Sequence, residues 1–352
     1  MSAWLITGGA GFIGTNFVRM AAARSDARLI ILDALTYAGN LANISDLLRP
    51  PRVEFIKGDI CDGPLVMRIF ETHSVTHVIH FAAESHVDRS ILGARPFIRT
   101  NIEGTFTLLE AARSSWKNPD GMRFLHVSTD EVYGSLGPSD PPFNENTPYR
   151  PNSPYSASKA AADHLVRAWH HTYGLPTVIT NCSNNYGPWQ FPEKLIPLMI
   201  LNALEGKELP VYGDGFQVRD WLHVEDHCEA LLQILERGRV GETYTVGGNN
   251  ERANLDVVQA ICDTVDAVKG RPSGNSRKLI RHVKDRPGHD RRYSIDSSKL
   301  QKETVWKPRH VFEKALADVV AWYIAHKEWA DSVRSGEYLK FYQQLYRQRE
   351  TT

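Results

Sequence analysis

The sequence predicts a doubly wound α/β fold, a parallel sheet covered by helices on both faces, and three observations predict it. Short apolar runs recur at Trp4–Thr7, Arg28–Asp33, Val53–Asp59, Val75–Ala83, Met122–Ser128 and Thr177–Asn181, as strands buried on both faces require. Helix-length segments separate them, and Phe12–Arg24, Pro96–Trp116 and Tyr155–Tyr173 carry apolar residues at helical spacing. Gly8, Gly11 and Gly14 stand where the first strand hands over to the first helix.

Bare backbone at those glycines lets N–H groups and a helix N-terminus approach a pyrophosphate, so the turn points to a dinucleotide. Asp33 closes the next strand about 20 residues beyond the last glycine, where a carboxylate accepts bonds from ribose hydroxyls and repels a 2′-phosphate. NAD is therefore expected over NADP. Asp59 and Ile60 end the third strand, where the adenine is expected, although an acid there also serves as a helix cap. After Tyr186 the pattern changes to pieces punctuated by proline and glycine, including Leu209–Gly215 and Asp285–His289, which read as substrate loops. Asp220–Val224 and Glu242–Val246 read as strands, the first expected to return to the main sheet, and residues from Val311 onward read as two amphipathic helices. The expected architecture is a Rossmann-type doubly wound parallel sheet with a smaller C-terminal substrate-binding α/β region.

Composition narrows the function. With 352 residues, 42% of them hydrophobic, the chain has enough apolar material for a substantial core. Lysine plus arginine equals aspartate plus glutamate at 41 each, so no global field favours nucleic acid or an anionic membrane, and any anion is bound locally. Cys61, Cys182, Cys228 and Cys262 are too scattered for a zinc knuckle, a redox pair or a disulfide framework. Met1 leads straight into a strand-like run, and no segment approaches a membrane span. A cytoplasmic location is expected. The histidines, His170 and His171 included, lack metal-ligand spacing, and no metal is expected.

Tyr155 and Lys159 form a Y-x-x-x-K pair, and residues four apart share one face of a helix. A tyrosine of pKa ~10 is a poor base at neutral pH, but a fixed positive charge beside it lets it take an alcohol proton. Ser128, Thr129, Asp130 and Glu131 stand upstream at the end of a predicted strand.

On the T-G-x-x-G-x-x-G turn from Thr7 to Gly14, Thr129 beside a strand end and Y-x-x-x-K, the chain resembles the extended short-chain dehydrogenase/reductase family. That resemblance implies that Thr129 bonds the sugar hydroxyl, Tyr155 is the base, and Lys159 holds the nicotinamide ribose and tunes the tyrosine. Adjacent Asp130 and Glu131 single out a branch, because an elimination needs both a base and an acid. Once carbon 4 of a hexose is oxidised, the hydrogen on carbon 5 becomes acidic and water can leave from carbon 6. Glu131 is expected to take the proton and Asp130 to protonate the departing hydroxyl. Both reach one sugar only if the strand ends there, because neighbours on a strand face opposite ways. Two close carboxylates are also expected to split their titrations.

Along essentially its whole length the chain is similar to the nucleotide-sugar 4,6-dehydratases of that family, through Phe81–Ser90, Ser128–Gly134, Asn181–Pro188, Phe191–Pro197 and Asp285–Tyr293. The similarity implies that dTDP-glucose is the substrate and that Phe12, Ile13, Asp33, Asp59, Ile60, Ala83, Thr100 and Asn185 contact NAD. It further implies that Ser85, Asn184, Lys194, Leu195, Val211, Tyr212, Arg219, Asn254, Arg286 and His289 surround the nucleotide sugar, with Lys194, Arg219 and Arg286 suited to a diphosphate. Residues 1–185, with returning segments near 216–248, are expected to bind NAD, and 186–352 mainly the nucleotide sugar. A homodimer is implied, paired through the helices that begin near Pro96 and Tyr155. Trp189 and His223 depart from the residues usual at their positions. An epimerase or decarboxylase using Thr129, Tyr155 and Lys159 explains everything except the carboxylate pair. A non-catalytic NAD-binding sensor would be marked by a lost tyrosine or lysine, and both are present.

Overall fold

The computed structural model describes residues 2–334, 338, 340–342 and 345. Its elements run β1 (Ala3–Thr7), α1 (Phe12–Arg24), β2 (Arg28–Asp33), β3 (Val53–Lys57), α2 (Gly63–His73), β4 (His77–His80), α3 (Val87–Leu92), α4 (Arg95–Phe97), a π-helical turn (Ile98–Gly104), α5 (Thr105–Ser115), β5 (Arg123–Thr129), α6 (Pro154–Tyr173) and β6 (Thr177–Cys182). Then follow β7 (Asn184–Tyr186), α7 (Leu195–Glu205), β8 (Leu209–Tyr212), β9 (Val218–His223), α8 (Val224–Arg237), β10 (Thr243–Val246), β11 (Glu251–Ala253), α9 (Asn254–Val268), β12 (Ile280–Val283), α10 (Ser298–Glu303), α11 (Phe312–Ala325) and α12 (Lys327–Val333).

Seven strands form the main sheet in the order β10-β6-β5-β4-β1-β2-β3, and all their pairings are parallel. The fold is thus the doubly wound one. One face buries Phe17, Val18 and Ala21 of α1 with Leu231 and Ile234 of α8. The other buries Ile69 and Phe70 of α2, Leu108 and Leu109 of α5, and Val166 of α6. Each fully buried apolar side chain of this size stabilises by about 1.5–3 kcal/mol, so the two layers clamp the sheet from both sides. A separate core of α7, α9 and α11 encloses Met199, Ile261 and Leu316.

The strand expected to return to the main sheet does not. β9 lies at the centre of a three-stranded sheet, β11-β9-β7, parallel to β7 and antiparallel to β11. Its short alternating sequence fits either place, and its pairing with β7 carries it away from β6. The predicted helix over Pro96–Trp116 is interrupted by the π turn, whose i→i+5 bonding leaves no mark in composition.

α6 is fixed at both ends. Ser153 and Ser156 form a reciprocal capping box, Pro154 occupies the first turn, and Gly174 closes the helix in the left-handed region. An N-cap of this kind is worth about 1 kcal/mol. It holds the helix that carries Tyr155 and Lys159. No helix among the described residues is long and apolar enough to cross a membrane.

Candidate active site

The carboxyl ends of the central strands open into a cavity of about 680 Å³. Gly8, Gly11, Phe12, Ile13, Gly14, Asp33, Asp59, Ile60, Ala83, Thr100, Tyr155, Lys159 and Asn185 all line it. Two glycines shape its cradle. Gly8 has φ +71°, and a Cβ there would sit 2.6 Å from the Ala82 nitrogen. A Cβ on Gly14 would run into the Gly8 carbonyl oxygen. α1 starts after Gly11 without any side-chain cap, so the N–H groups of its first turn are open to a phosphate. The residues present therefore fit a dinucleotide.

Asp33 accepts from Ala10 N–H at 3.0 Å and Leu35 N–H at 2.8 Å, so it also fastens the two turns that flank the cradle. Burial pushes its carboxyl up, and these bonds pull it back. Asp59 accepts from Cys61 N–H at 2.8 Å and pairs with Arg99 at 2.7 Å, taking up part of the turn-capping role as well.

Tyr155 and Lys159 project from one face of α6 towards β5. Lys159 Nζ donates to the Val127 carbonyl at 2.9 Å. The sequence makes Lys159 the group that lowers the tyrosine's pKa; in the structure burial dominates and pushes the phenol well above its usual value. Glu131 adds to the rise, and the hydrogen bond with Thr129 opposes it. Lys159 is itself lowered by burial, with Asp163 opposing that shift.

β5 ends at Thr129, and Asp130–Tyr133 turn as a 3₁₀ helix, so the chain breaks strand geometry where both carboxylates are needed. Glu131 lines the cavity. Asp130 does not: it is 1% exposed, and its Oδ2 is buried with no partner among the described residues. The turn rotates one carboxylate out to the cavity and leaves the other behind it. Burial, then Glu131 and Asp220, drive the Asp130 carboxyl well above its usual range. Glu131 is also raised by burial, but Arg286, Lys194 and Arg219 oppose the shift. The environments push the pair apart, towards a protonated Asp130 beside a more readily ionised Glu131.

Of the residues expected at the nucleotide sugar, Ser85, Thr129, Asn184 and Lys194 line the cavity, and Leu195, Val211, Tyr212, Arg219, Asn254, Arg286 and His289 do not. The second group lies on elements beyond Glu131. Val211 is buried in β8, and Leu195 opens α7. Tyr212 OH donates to Asp88 at 3.4 Å, Arg286 lies 3.9 Å from the same carboxylate, and His289 Nδ1 is 2.6 Å from Asp285. Arg219 donates to the Asp290 carbonyl at 2.9 Å. Asn184 Oδ1, Asn254 Oδ1 and Arg286 Nε are buried with no partner among the described residues, and a polar ligand would satisfy them.

Sequence reasoning missed four residues. Glu193 and Glu84 line the cavity; Glu193 pairs with Arg89 at 3.1 Å and accepts from Tyr37 OH at 2.9 Å. Asn101, on the π turn, accepts from Glu84 N–H at 2.9 Å and donates to Ser158 Oγ at 2.8 Å. Asp163, one turn beyond Lys159, accepts from Ser128 Oγ and Tyr149 OH at 2.9 Å and from Asn181 Nδ2 at 3.1 Å. The i, i+4, i+8 spacing of Tyr155, Lys159 and Asp163 was the available signal for the last.

The two departures lie outside the cavity. Trp189 packs on Trp322 and Trp329 with ring centroids 4.9 and 5.5 Å away. His223 stacks on His310 at 3.9 Å. Among the described residues His223, Glu225 and His310 bring donor atoms within 4.8 Å of one another. Their contacts are those of an ion-paired helix start: His223 Nδ1 accepts from Glu225 N–H, and His310 faces both Glu225 and Asp226.

A family model described as GDP-mannose 4,6 dehydratase matches residues 5–319. A relative from Xanthomonas campestris pv. campestris (strain B100) named dTDP-glucose 4,6-dehydratase is 59% identical over 344 residues, covering 96% of this chain and 97% of its own. The dTDP-glucose 4,6-dehydratase of Bacillus anthracis, solved with NAD, superposes with a TM-score of 0.84 at 46% identity, over 95% of this chain and all of the other. That of Streptomyces venezuelae, also with NAD bound, gives 0.86 at 46% identity over 94% and 99% of the two chains.

Proposed function

The chain belongs to the GDP-mannose 4,6 dehydratase family, and from that premise we propose that it converts dTDP-glucose into dTDP-4-keto-6-deoxyglucose and water, as a hydro-lyase with NAD as its recycled cofactor. The family description names another sugar nucleotide, but the relative at 59% identity carries the dTDP-glucose name, and Asp33 at the end of β2 suits an unphosphorylated ribose. The observation that carries the reading is the pair of unlike carboxylates, Asp130 and Glu131, where β5 breaks. An epimerase has no use for it.

NAD, when bound, supplies the hydride acceptor for carbon 4 and the donor for carbon 6. Gly8, Gly11 and Gly14 would hold its pyrophosphate, Asp33 its adenosine ribose, and Lys159 its nicotinamide ribose. Tyr155 takes the proton of the 4-hydroxyl, to which Thr129 donates a hydrogen bond. Glu131 removes the carbon 5 proton, and Asp130, kept protonated by its burial, gives its proton to the leaving 6-hydroxyl. Lys194, Arg219 and Arg286 supply the positive charge for the diphosphate, and the same charge opposes the rise that burial imposes on the Glu131 carboxyl.

Residues 1–185 with segments near 216–248 form the NAD-binding part in this reading, and most of 186–352 the sugar-nucleotide part. A homodimer is supported by Ile98, Phe106 and Tyr173, which are 44%, 46% and 53% exposed on the segments around α5 and α6. A monomer by light scattering at micromolar concentration would contradict it. Four free cysteines suit a reducing cytoplasm.

The reading is tested by incubating the purified protein with dTDP-glucose, and in parallel UDP-glucose, without added reductant. Loss of one water with the appearance of a keto sugar's alkaline absorbance supports it. Unchanged mass with conversion to a galactose epimer contradicts it.

A further inference from the structure

We propose that Trp329 on α12 and Tyr323 on α11 are positioning residues for NAD, holding both walls of its cleft from behind and setting how tightly the cofactor is kept. The inference rests on the cofactor recycling proposed above, which gives the enzyme a use for retention: a cofactor reduced at carbon 4 must still be present when carbon 6 is reached. Neither residue lines the cavity. Each acts through a residue that builds one of its walls.

The first wall is the glycine turn. Trp329 Nε1 donates to Asn43 Oδ1 at 2.8 Å, and Asn43 Nδ2 donates to the Ala10 carbonyl at 3.0 Å. Ala10 stands between Gly8 and Gly11, and its own N–H donates to Asp33 Oδ2 at 3.0 Å. Because a peptide is planar, fixing that carbonyl also fixes the Gly11 N–H, which donates to the Gly8 carbonyl at 3.1 Å. Asn43 is buried and is held by α1 as well, through Arg19, which donates to its backbone carbonyl at 2.7 Å. The second wall is the loop after β7. The buried Tyr323 hydroxyl donates to the Gln190 carbonyl at 2.6 Å, and Gln190 Nε2 donates to the Asn185 carbonyl at 2.9 Å. Gln190 and Asn185 both line the cavity. The rings of Tyr323 and Trp329 lie 6.3 Å apart, so one aromatic cluster fastens both walls. Trp189, which departs from the residue usual at its position, packs into that cluster from the same loop. Walls already tied in the shape that receives NAD remove an ordering cost from binding.

The test follows NAD itself, on the NAD-loaded wild type, Tyr323→Phe, Trp329→Phe and Trp322→Phe. Trp322 shares the ring cluster, but its indole bonds neither wall among the described residues. Tyr323→Phe and Trp329→Phe are each expected to release NAD about 10-fold faster after dilution into NAD-free buffer, the scale of one lost hydrogen bond. The same loss is expected in KM for NAD and not in kcat. Trp322→Phe is expected to release NAD at the wild-type rate. Unchanged release from either of the first two overturns the proposal, and so does equal acceleration in Trp322→Phe, which would make the effect one of packing alone. The wild type gives an independent arm should a variant fail to fold. By linkage, NAD is expected to slow hydrogen exchange of the Trp329 indole N–H, read by NMR, more than that of Trp116, whose indole bonds the Val75 carbonyl just before β4. Equal protection of the two overturns the proposal. A wild type that bound no NAD would sink the cofactor reading itself, whereas water loss by the wild type with unaltered NAD release from the variants would sink this inference alone.

Discussion

The backbone N–H of Glu131 donates to Oγ1 of Thr129 at 3.3 Å, and this bond turns the chain out of β5. Without the turn, Asp130 and Glu131 would point to opposite faces of the sheet. With it, Glu131 reaches the cavity and Asp130 stays buried immediately behind Thr129. The difference in surroundings separates their roles.

Glu131→Gln removes the base and keeps the shape. Water loss is expected to fall by about 10²–10⁴-fold, while oxidation at carbon 4 persists because Tyr155 is untouched. Exchange of the carbon 5 hydrogen with heavy water, followed by NMR, should disappear with it. Undiminished exchange would assign the base elsewhere.

Asp163 is buried and takes hydrogen bonds from Ser128, Tyr149 and Asn181. Its Oδ1 also lies 3.2 Å from His126 Nε2. Asp163→Ala strands these groups and is expected to cost about 3–5 kcal/mol in urea unfolding. Asp163→Asn, which keeps the shape and an acceptor oxygen, should cost less. Equal losses from the two would show that charge rather than shape holds β5 to α6.

Gly14→Ala places a methyl group against the Gly8 carbonyl oxygen, and the backbone of the turn must yield. The expected result is a folded protein that retains NAD at least ~10-fold less tightly, each factor of ten being about 1.4 kcal/mol. Calorimetric titration with NAD checks this, and unchanged affinity would mean that the pyrophosphate does not rest on this turn.

His310 should titrate near 9, raised by its bonds to Asp226 and then Glu225. Its folded value lies above the ordinary one, so the stability it contributes is fully present below about pH 6.5 and is lost as pH rises through about 9. Partial exposure keeps the effect to about 1 kcal/mol or less. Urea midpoints at about pH 6 and about pH 10 should differ more in the wild type than in His310→Ala. His223, stacked against it, is pushed down to about 4 by burial and then by His310, so it stays neutral across this window.

The first half of the fold was legible because its signals are local. The run Arg28–Asp33 and the pattern Phe12–Arg24 match β2 and α1 at both ends, and the glycines between strand and helix announce the cradle. The π turn was not legible, because one extra residue per turn leaves composition unchanged, yet it sets Asn101 against Glu84 and Ser158. The placement of β9 depends on its partner β7, which no local pattern reveals. At the site, the motif named Asp130 and Glu131 together. That one faces the cavity and the other lies behind Thr129 follows from a turn whose direction is set by a hydrogen bond. The role of Thr129 in opposing the rise in the Tyr155 pKa was hidden for the same reason, since Lys159 spends a bond on the Val127 carbonyl.

The most direct test of the account is incubation with dTDP-glucose deuterated at carbon 4, followed by mass spectrometry and NMR of the product. The account predicts loss of one water, with the deuterium found on carbon 6. A product of unchanged mass, inverted at carbon 4 and still deuterated there, would contradict it and leave Asp130 and Glu131 without a chemical role.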